Sequence, residues 1–221
     1  MNETTDENIF HICNRGVEKR TIFLNDNDYR RFLENAYRSN NRSDAIRFRG
    51  TDLFFNPPPQ EKIVDILKWS LLPNHYHLLV VELIEGGAIE FTKRLGNGYT
   101  KYFNIKYDRS GYLFQNKAQI IEPKSHAHNL YLPLYVELNP LDLIEKTWRE
   151  QGMSNKKKTL EFLMNYPWSS FQTYFGKSPY IALTNKEKFY ELFETTETEF
   201  KNEIDAFLKS EIPYMQDPLL F

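Results

Sequence analysis

Apolar residues occur along this chain both in short runs and in helical stripes. Runs rich in Ile, Leu and Val predict β-strands, whereas apolar residues spaced three and four apart predict helices. Pro73-Asn74 separates two apolar runs, which indicates either two strands joined by a tight turn or one interrupted strand. The predicted strands lie at about 9–13, 63–72, 78–81 and 112–121, and the predicted helices at about 26–37, 88–107 and 125–138.

The predicted elements follow the order strand, helix, strand, strand, helix, strand and helix. This β-α-β-β-α-β arrangement is typical of a ferredoxin-like antiparallel sheet, here followed by one added helix. We therefore expect an α+β fold. The polar stretch at about 40–60 contains three consecutive prolines, Pro57 to Pro59, and is predicted to be a surface loop.

The C-terminal part of the chain differs from the rest in composition. Residues 176–221 contain nine acidic residues and five lysines. Apolar residues such as Phe189, Phe193 and Phe200 are spaced so that they can pack one face of a helix. The sequence therefore predicts two units, a domain at 1–175 that contains the sheet and an acidic helical appendage at 176–221.

Composition limits the classes of protein that the chain can belong to. The formal net charge is −2 and aromatic residues make up 15% of the chain, which is enough to build a core. The single cysteine, Cys13, excludes an internal disulfide framework and a zinc cluster built on cysteines. No apolar run approaches about 18 residues and the N-terminus has no signal-peptide pattern, so we expect a cytoplasmic protein without a membrane span.

Two histidines, His75 and His77, lie two positions apart at the start of an apolar strand. Side chains two apart on a strand point to the same face, so both imidazoles can bind one divalent metal ion. The common alternative is that one histidine is a core residue and the other is exposed. Polar groups in a half-buried strand require a partner, which favours the metal site here more than in an arbitrary His-x-His pair.

Tyr135 and Asn139 lie four positions apart on the last predicted helix of the domain, so they share a face. A tyrosine hydroxyl can act as a nucleophile, and an asparagine oxygen can bind a hard metal ion. A tyrosine on a helix more often has only a packing role. Spacing alone therefore leaves both interpretations open.

These motifs together resemble those of the single-tyrosine transposases of the HUH superfamily, most closely the REP-associated tyrosine transposases. The superfamily is named after a histidine-hydrophobic-histidine motif, which is His75-Tyr76-His77 here. The resemblance extends over about residues 8–175 and includes several motifs in the same order. They are FHICNRG at 10–16, LPNHYHLL at 72–79, RSGYLFQ at 109–115, YVELNP at 135–140 and PWSS at 167–170.

The resemblance implies an enzyme that cleaves and rejoins single-stranded DNA. Tyr135 would attack the scissile phosphodiester and form a 5′-phosphotyrosine intermediate. His75 and His77 would hold Mg²⁺ or Mn²⁺, with Asn139 as the third ligand. The DNA partner of such an enzyme is a hairpin formed by a palindromic repeat.

The basic middle of the chain is the expected DNA surface. Residues 88–124 contain seven basic and three acidic residues, with aromatic residues between them. Basic side chains neutralise phosphates and exposed aromatic rings stack on unpaired bases, although most of these rings could equally belong to the core. The resemblance adds two residues of the first turn that could contact the foot of a hairpin. The predicted DNA-binding residues are Asn14, Arg15, Arg94, Lys101, Arg109 and Lys117.

Two other functions remain open at the level of the sequence. One is a DNA-binding module that keeps the fold but no longer cleaves. The other is a metal-dependent hydrolase that uses a metal-bound water, with Tyr135 as a bystander. A short loop before the helix of Tyr135 favours a monomer over a homodimer that exchanges this helix.

Overall fold

The computed structural model describes residues 8–43 and 60–209. These residues form a four-stranded antiparallel sheet with helices on both faces, so the predicted α+β class is confirmed. Most of the loop predicted at 40–60 falls on residues 44–59, which lie outside the described ranges. The strands are β1 (Ile9–Arg15), β2 (Val64–Leu72), β3 (His75–Glu82) and β4 (Gln119–Ile121).

Helices fill the connections and the C-terminal part of the described chain. None of them combines the length and the apolar character needed to cross a bilayer, as far as the described residues go. The helices are α1 (Asp26–Ser39), α2 (Gly87–Lys106), α3 (His126–Leu138), α4 (Trp148–Gln151), α5 (Lys156–Asn165), α6 (Phe171–Phe175), α7 (Lys186–Leu192) and α8 (Glu197–Lys209).

Local capping signals decide where two of these helices begin. The Asn25 side chain accepts a hydrogen bond within the first turn of α1, and the Asp28 carboxylate accepts one from the Asn25 backbone, which makes a capping box. Ser125 accepts a hydrogen bond from the backbone of His128 and starts α3, as predicted. Pro133 lies inside α3, eight residues after the Ser125 cap.

The strands are arranged in the order β2-β3-β1-β4, and every neighbouring pair is antiparallel. Pro73-Asn74 forms the turn between β2 and β3, so this region is a hairpin and not one interrupted strand. The strand predicted over 112–121 is wrong in its first half. Phe114 makes only an isolated bridge to Gly16, because the chain bends at 115–117 before β4 begins.

Each face of the sheet is covered by a different set of helices. The face with Ile12, Tyr76 and Leu78 packs against α1 and α2. The opposite face belongs to a second apolar cluster that includes residues of α3, α6, α7 and α8. Because side chains alternate along a strand, His11, Cys13, His75 and His77 all point toward this second face.

A fully buried ion pair joins β2 to α3 on the second face. The Lys68 ammonium lies 3.5 Å from a carboxylate oxygen of Glu137, and the Ser170 hydroxyl donates a 2.7 Å hydrogen bond to the same oxygen. Three rings surround the ammonium at 3.0–3.9 Å from their centroids, those of Tyr174 in α6, Phe189 in α7 and Phe200 in α8. Burial lowers the pKa of Lys68 to about 7 and raises that of Glu137, and each charge opposes the shift of the other.

Breaking this pair on one side should destabilise the protein far more than removing both charges. Lys68→Met leaves the Glu137 carboxylate buried without its cation, and we expect it to lower the free energy of unfolding by about 3–5 kcal/mol. The double variant Lys68→Met/Glu137→Leu should lose much less, since no charge remains buried. Urea denaturation of the wild type, both single variants and the double variant measures the coupling. Additive losses in the double variant would contradict the account.

Candidate functional site

Three side chains from β1 and β3 form the floor of the candidate site. Cys13 and His77 are direct cross-strand partners, and His11 lies two positions before Cys13 on the same face. The His11 Nε2 and His77 Nδ1 atoms are 2.9 Å apart in a hydrogen bond, and the two rings stack with centroids 5.1 Å apart. All three side chains are fully buried. Antiparallel pairing at the centre of the sheet thus brings together residues that are far apart in the chain.

His75 completes the histidine pair that the sequence predicts. It lies next to His77 on the same face, with the ring centroids 5.1 Å apart and the rings nearly perpendicular. The Asn74 side chain is hydrogen-bonded to His75 Nδ1 at 2.6 Å. This contact fixes the orientation of the imidazole ring through Nδ1, so Nε2 is the ring nitrogen that would bind a metal ion.

Helix α3 places Tyr135 directly over the histidines. The phenol ring meets His77 and His11 edge-on, with centroids 5.3 Å and 5.4 Å away. Tyr135 belongs to the same chain as the sheet on which it packs, and its side chain is 3% exposed. The structure therefore brings together two motifs that the sequence only suggested separately.

Asn139 follows one turn after Tyr135 and is linked to it. The Asn139 side-chain nitrogen donates a 2.8 Å hydrogen bond to the backbone oxygen of Tyr135. Its side-chain oxygen accepts a 2.8 Å hydrogen bond from the Arg149 guanidinium, which also forms an ion pair with Asp142. The oxygen that was predicted to bind a metal thus has a cationic partner in this arrangement.

Burial dominates the ionisation of these groups. It lowers the pKa of His75 to about 3, and the positive charges of Arg15 and Arg149 act in the same direction. The pKa of His77 lies well below its usual value, first because of burial and then because of the neighbouring His75. Burial raises the pKa of Tyr135, which the Arg149 charge opposes. At neutral pH both imidazoles are therefore neutral and can bind a metal, whereas the phenol keeps its proton.

The donor set fits a divalent metal in its chemistry. His75 and His77 offer two neutral imidazoles on one face, and Asn139 offers an amide oxygen if Arg149 gives up its hydrogen bond. His11, Cys13 and His77 form a second group in which the possible ligand atoms lie within 4.8 Å of one another. A buried group that could bind a metal is therefore present.

Three residues of the site were missed by the reasoning from sequence. From the sequence alone, His11 in the first strand indicates only packing or a hydrogen bond, and Cys13 indicates only a small buried side chain. Both descriptions hold, yet they overlook that β1 and β3 are neighbours. Both β1 and β3 carry two polar residues at alternating positions. This pattern in two central strands could have indicated the group. Arg149 was not singled out, and no spacing in the sequence connects it to Tyr135.

Two of the predicted DNA-binding residues, Asn14 and Lys117, line a cleft of about 950 Å³ between α2 and the segment before β4. Asn14 donates a 3.0 Å hydrogen bond from its side chain to the backbone oxygen of Asn116. Lys93 also lines this cleft, and so does Tyr112, which is 87% exposed. The cleft therefore combines cationic side chains with an exposed aromatic ring.

The other four predicted contacts lie outside the cleft lining. Arg15 is the cross-strand partner of His75, on the face of the histidines. Arg94 is held by Glu90 and by the backbone oxygens of residues 41 and 43. Arg109 donates to Asn104, and Lys101 is exposed on α2. Of the six predicted contacts, the cleft thus brings together two, Asn14 and Lys117.

Comparison with known proteins gives a distant likeness only. No protein-family model matches the sequence, and no curated protein matches it. Among solved structures, the chain is similar to a REP-associated tyrosine transposase bound to a REP hairpin. The TM-score is 0.46 at 12% sequence identity, over 81% of this chain and 83% of that chain. A likeness of this size does not carry the activity of that protein to this one.

The buried histidines should make the protein sensitive to acid. In the unfolded chain the pKa of His75 returns to about 6.5, so the unfolded state binds more protons than the folded state between that value and about 3. Stability therefore falls as the pH drops through this window. Between pH 7 and pH 5, we expect the free energy of unfolding of His75→Gln to fall by about 2 kcal/mol less than that of the wild type.

The free energy of unfolding in urea at the two pH values measures this difference. His126→Gln is the matched control, because it makes the same substitution at an exposed histidine at the start of α3. An unchanged pH dependence in His75→Gln would show that the histidine is not kept neutral by burial.

Proposed function

We propose that this protein is a metal-dependent enzyme that cleaves and rejoins single-stranded DNA through a 5′-phosphotyrosine intermediate. The observation that supports this proposal most is the edge-on contact between the Tyr135 and His77 rings, whose centroids are 5.3 Å apart. The two residues belong to separate motifs, and a nucleophile beside a pair of neutral imidazoles is what this chemistry needs. We also propose that the protein is related to the REP-associated tyrosine transposases, because its motifs occur in the same order as theirs.

The fold that we propose for the catalytic domain is a ferredoxin-like one. The elements from β1 to β4 follow the order β-α-β-β-α-β, and the strand order β2-β3-β1-β4 supports this assignment. In this proposal α3 is the added catalytic helix. Residues 1–175 form the catalytic domain, and 176–221 form the acidic appendage that packs against it through α7 and α8.

In the proposed reaction the Tyr135 oxygen attacks the scissile phosphorus. A bond forms between the phenol oxygen and phosphorus, the bond from phosphorus to the 3′ oxygen breaks, and the phenol proton ends on the 3′-hydroxyl. Burial raises the pKa of Tyr135, and the Arg149 charge reduces this rise, so Arg149 favours loss of the proton. The reverse step, attack by the 3′-hydroxyl of another strand, releases the enzyme and joins the two strands.

We propose that His75 and His77 hold Mg²⁺ or Mn²⁺, with Asn139 as a third ligand. A bound divalent ion would polarise the oxygens of the scissile phosphate. Arg149 supplies a second positive charge at the same place, and it must exchange its hydrogen bond to Asn139 for one to the phosphate. Asp142 can hold the guanidinium near the site during this exchange.

Single-stranded or hairpin DNA is the partner that we propose. The cleft with Asn14, Lys93, Lys117 and Tyr112 offers charge for the phosphates and a ring for an unpaired base. Tyr135 packs on the sheet of its own chain, which supports a monomer that acts without exchange of α3. The soluble cytoplasmic setting expected from the sequence is part of this proposal.

A DNA-binding module without cleavage is the second candidate. It is favoured by the burial of Tyr135, whose side chain is 3% exposed, because a phosphate must reach the phenol oxygen before any reaction. The enzyme requires that α3 or the segment around Arg149 moves when DNA binds. The following two experiments distinguish these functions.

Covalent trapping tests the nucleophile. A labelled single-stranded hairpin is incubated with the protein and Mn²⁺, and the mixture is denatured before electrophoresis. We expect a covalent adduct with the wild type and none with Tyr135→Phe, which lacks only the attacking oxygen. Tyr131→Phe is the matched control, since Tyr131 lies one turn earlier on the same helix and is also buried.

The two alternatives give different results in the trapping experiment. Cleavage that survives Tyr135→Phe would favour a hydrolase that uses a metal-bound water. Binding by the wild type without any cleavage would favour the DNA-binding module. Either result would overturn the proposed mechanism.

Removal of a metal ligand tests the cofactor. His77→Ala should lower the rate of cleavage by about 100-fold or more and leave the affinity for DNA nearly unchanged. His75→Ala should act in the same way. It should disturb folding less than His77→Ala, because His75 lies nearer the surface. His126→Ala is the control with normal cleavage. Full activity in EDTA would refute the metal dependence.

A further inference from the structure

The group formed by His11, Cys13 and His77 differs in chemistry from the site proposed above. Its possible ligand atoms are two imidazole nitrogens and one sulfur, all within 4.8 Å of one another and fully buried. Imidazole and thiolate ligands favour Zn²⁺ and similar ions, whereas Mg²⁺ and Mn²⁺ prefer oxygen ligands. One histidine, His77, belongs to both sets.

Pairing between β1 and β3 holds the three residues close to one another. Cys13 and His77 are paired across β1 and β3, and His11 is hydrogen-bonded to His77 at 2.9 Å. Ligands at about 2.0–2.3 Å from a zinc ion lie about 3–4 Å from one another. The largest separation allowed by the 4.8 Å limit therefore exceeds that of a bound geometry by about 1–2 Å.

A candidate for a fourth ligand lies at the open edge of the group. Gln119 in β4 is the cross-strand partner of Cys13, and its side-chain oxygen lies 3.8 Å from the Cys13 sulfur. Gln119 is exposed, so it also connects the buried group to solvent. Structural zinc sites bind four ligands in a tetrahedron, and this oxygen can supply the fourth.

We propose that His11, Cys13, His77 and Gln119 form a second metal site that selects a thiophilic divalent ion such as Zn²⁺. Binding breaks the hydrogen bond between His11 and His77 and releases the thiol proton of Cys13 to solvent, while the ion gains one bond each from the Cys13 sulfur, a nitrogen of His11, a nitrogen of His77 and the Gln119 side-chain oxygen. The site itself is independent of the proposed function. One consequence rests on that function, because an ion held here takes His77 from the pair that holds Mg²⁺ or Mn²⁺. Zn²⁺ should then inhibit cleavage.

Cobalt substitution tests the site without any assay of activity. Co²⁺ bound to a thiolate gives a charge-transfer absorption band in the near ultraviolet, and tetrahedral Co²⁺ gives strong visible bands. We expect both with the wild type on titration with Co²⁺, and we expect Zn²⁺ to abolish both. Cys13→Ser should lose the charge-transfer band, and Cys13→Ala should give the same result without burying a hydroxyl group.

His75→Ala is the matched control, because it removes a ligand of the proposed catalytic pair and leaves the second site intact. It should keep the charge-transfer band at wild-type intensity. A band that is absent from the wild type, or that persists in both Cys13 variants, would overturn the second site.

Inhibition by Zn²⁺ separates the second site from the proposed function. If Co²⁺ binds through Cys13 and Zn²⁺ slows DNA cleavage about 10-fold or more in the wild type, but much less in Cys13→Ala, both proposals are supported. If Co²⁺ binds through Cys13 and cleavage by the wild type is insensitive to Zn²⁺, the second site stands and the role of His77 in cleavage is refuted.

Discussion

The buried ion pair between Lys68 and Glu137 is the interaction that positions the candidate site. Glu137 lies between Tyr135 and Asn139 on α3, so its anchorage to β2 fixes where both residues meet the sheet. A buried charge is tolerated only with close partners, and here Ser170 and three aromatic rings provide them. Two of these rings belong to α7 and α8. The C-terminal helices are therefore part of the environment that holds α3 in place.

The fold was predictable wherever the signal is local. Alternation and helical spacing located β1, the apolar runs of β2 and β3, and helices α1 to α3, because each depends on neighbouring residues. The sequence left open whether β2 and β3 form a hairpin or one interrupted strand. The strand predicted over 112–121 failed in its first half, since pairing depends on the path of the chain at 115–117. The short helices α4 and α6 contain four and five residues, too few for a repeating apolar pattern.

The site shows the same division between local and non-local information. The pairs His75/His77 and Tyr135/Asn139 follow from spacing within one element, and their roles in cleavage remain predictions. His11, Cys13 and Arg149 depend on strand register and on tertiary contacts that spacing does not encode. The single cysteine excludes a zinc site built on several cysteines, but a site with both histidine and cysteine ligands needs only one cysteine. The burial of Tyr135 was also not predictable from the sequence, and the proposed mechanism requires an opening motion because of it.

The central claim is that Tyr135 becomes covalently joined to DNA. Mass spectrometry of the trapped adduct after digestion with nuclease and trypsin tests it most directly. Trypsin releases residues 125–146 as one peptide, which contains both Tyr131 and Tyr135. The account predicts that this peptide carries the remaining nucleotide and that fragmentation assigns it to Tyr135. A nucleotide on Tyr131 or on any other peptide, or cleavage without an adduct, would contradict it.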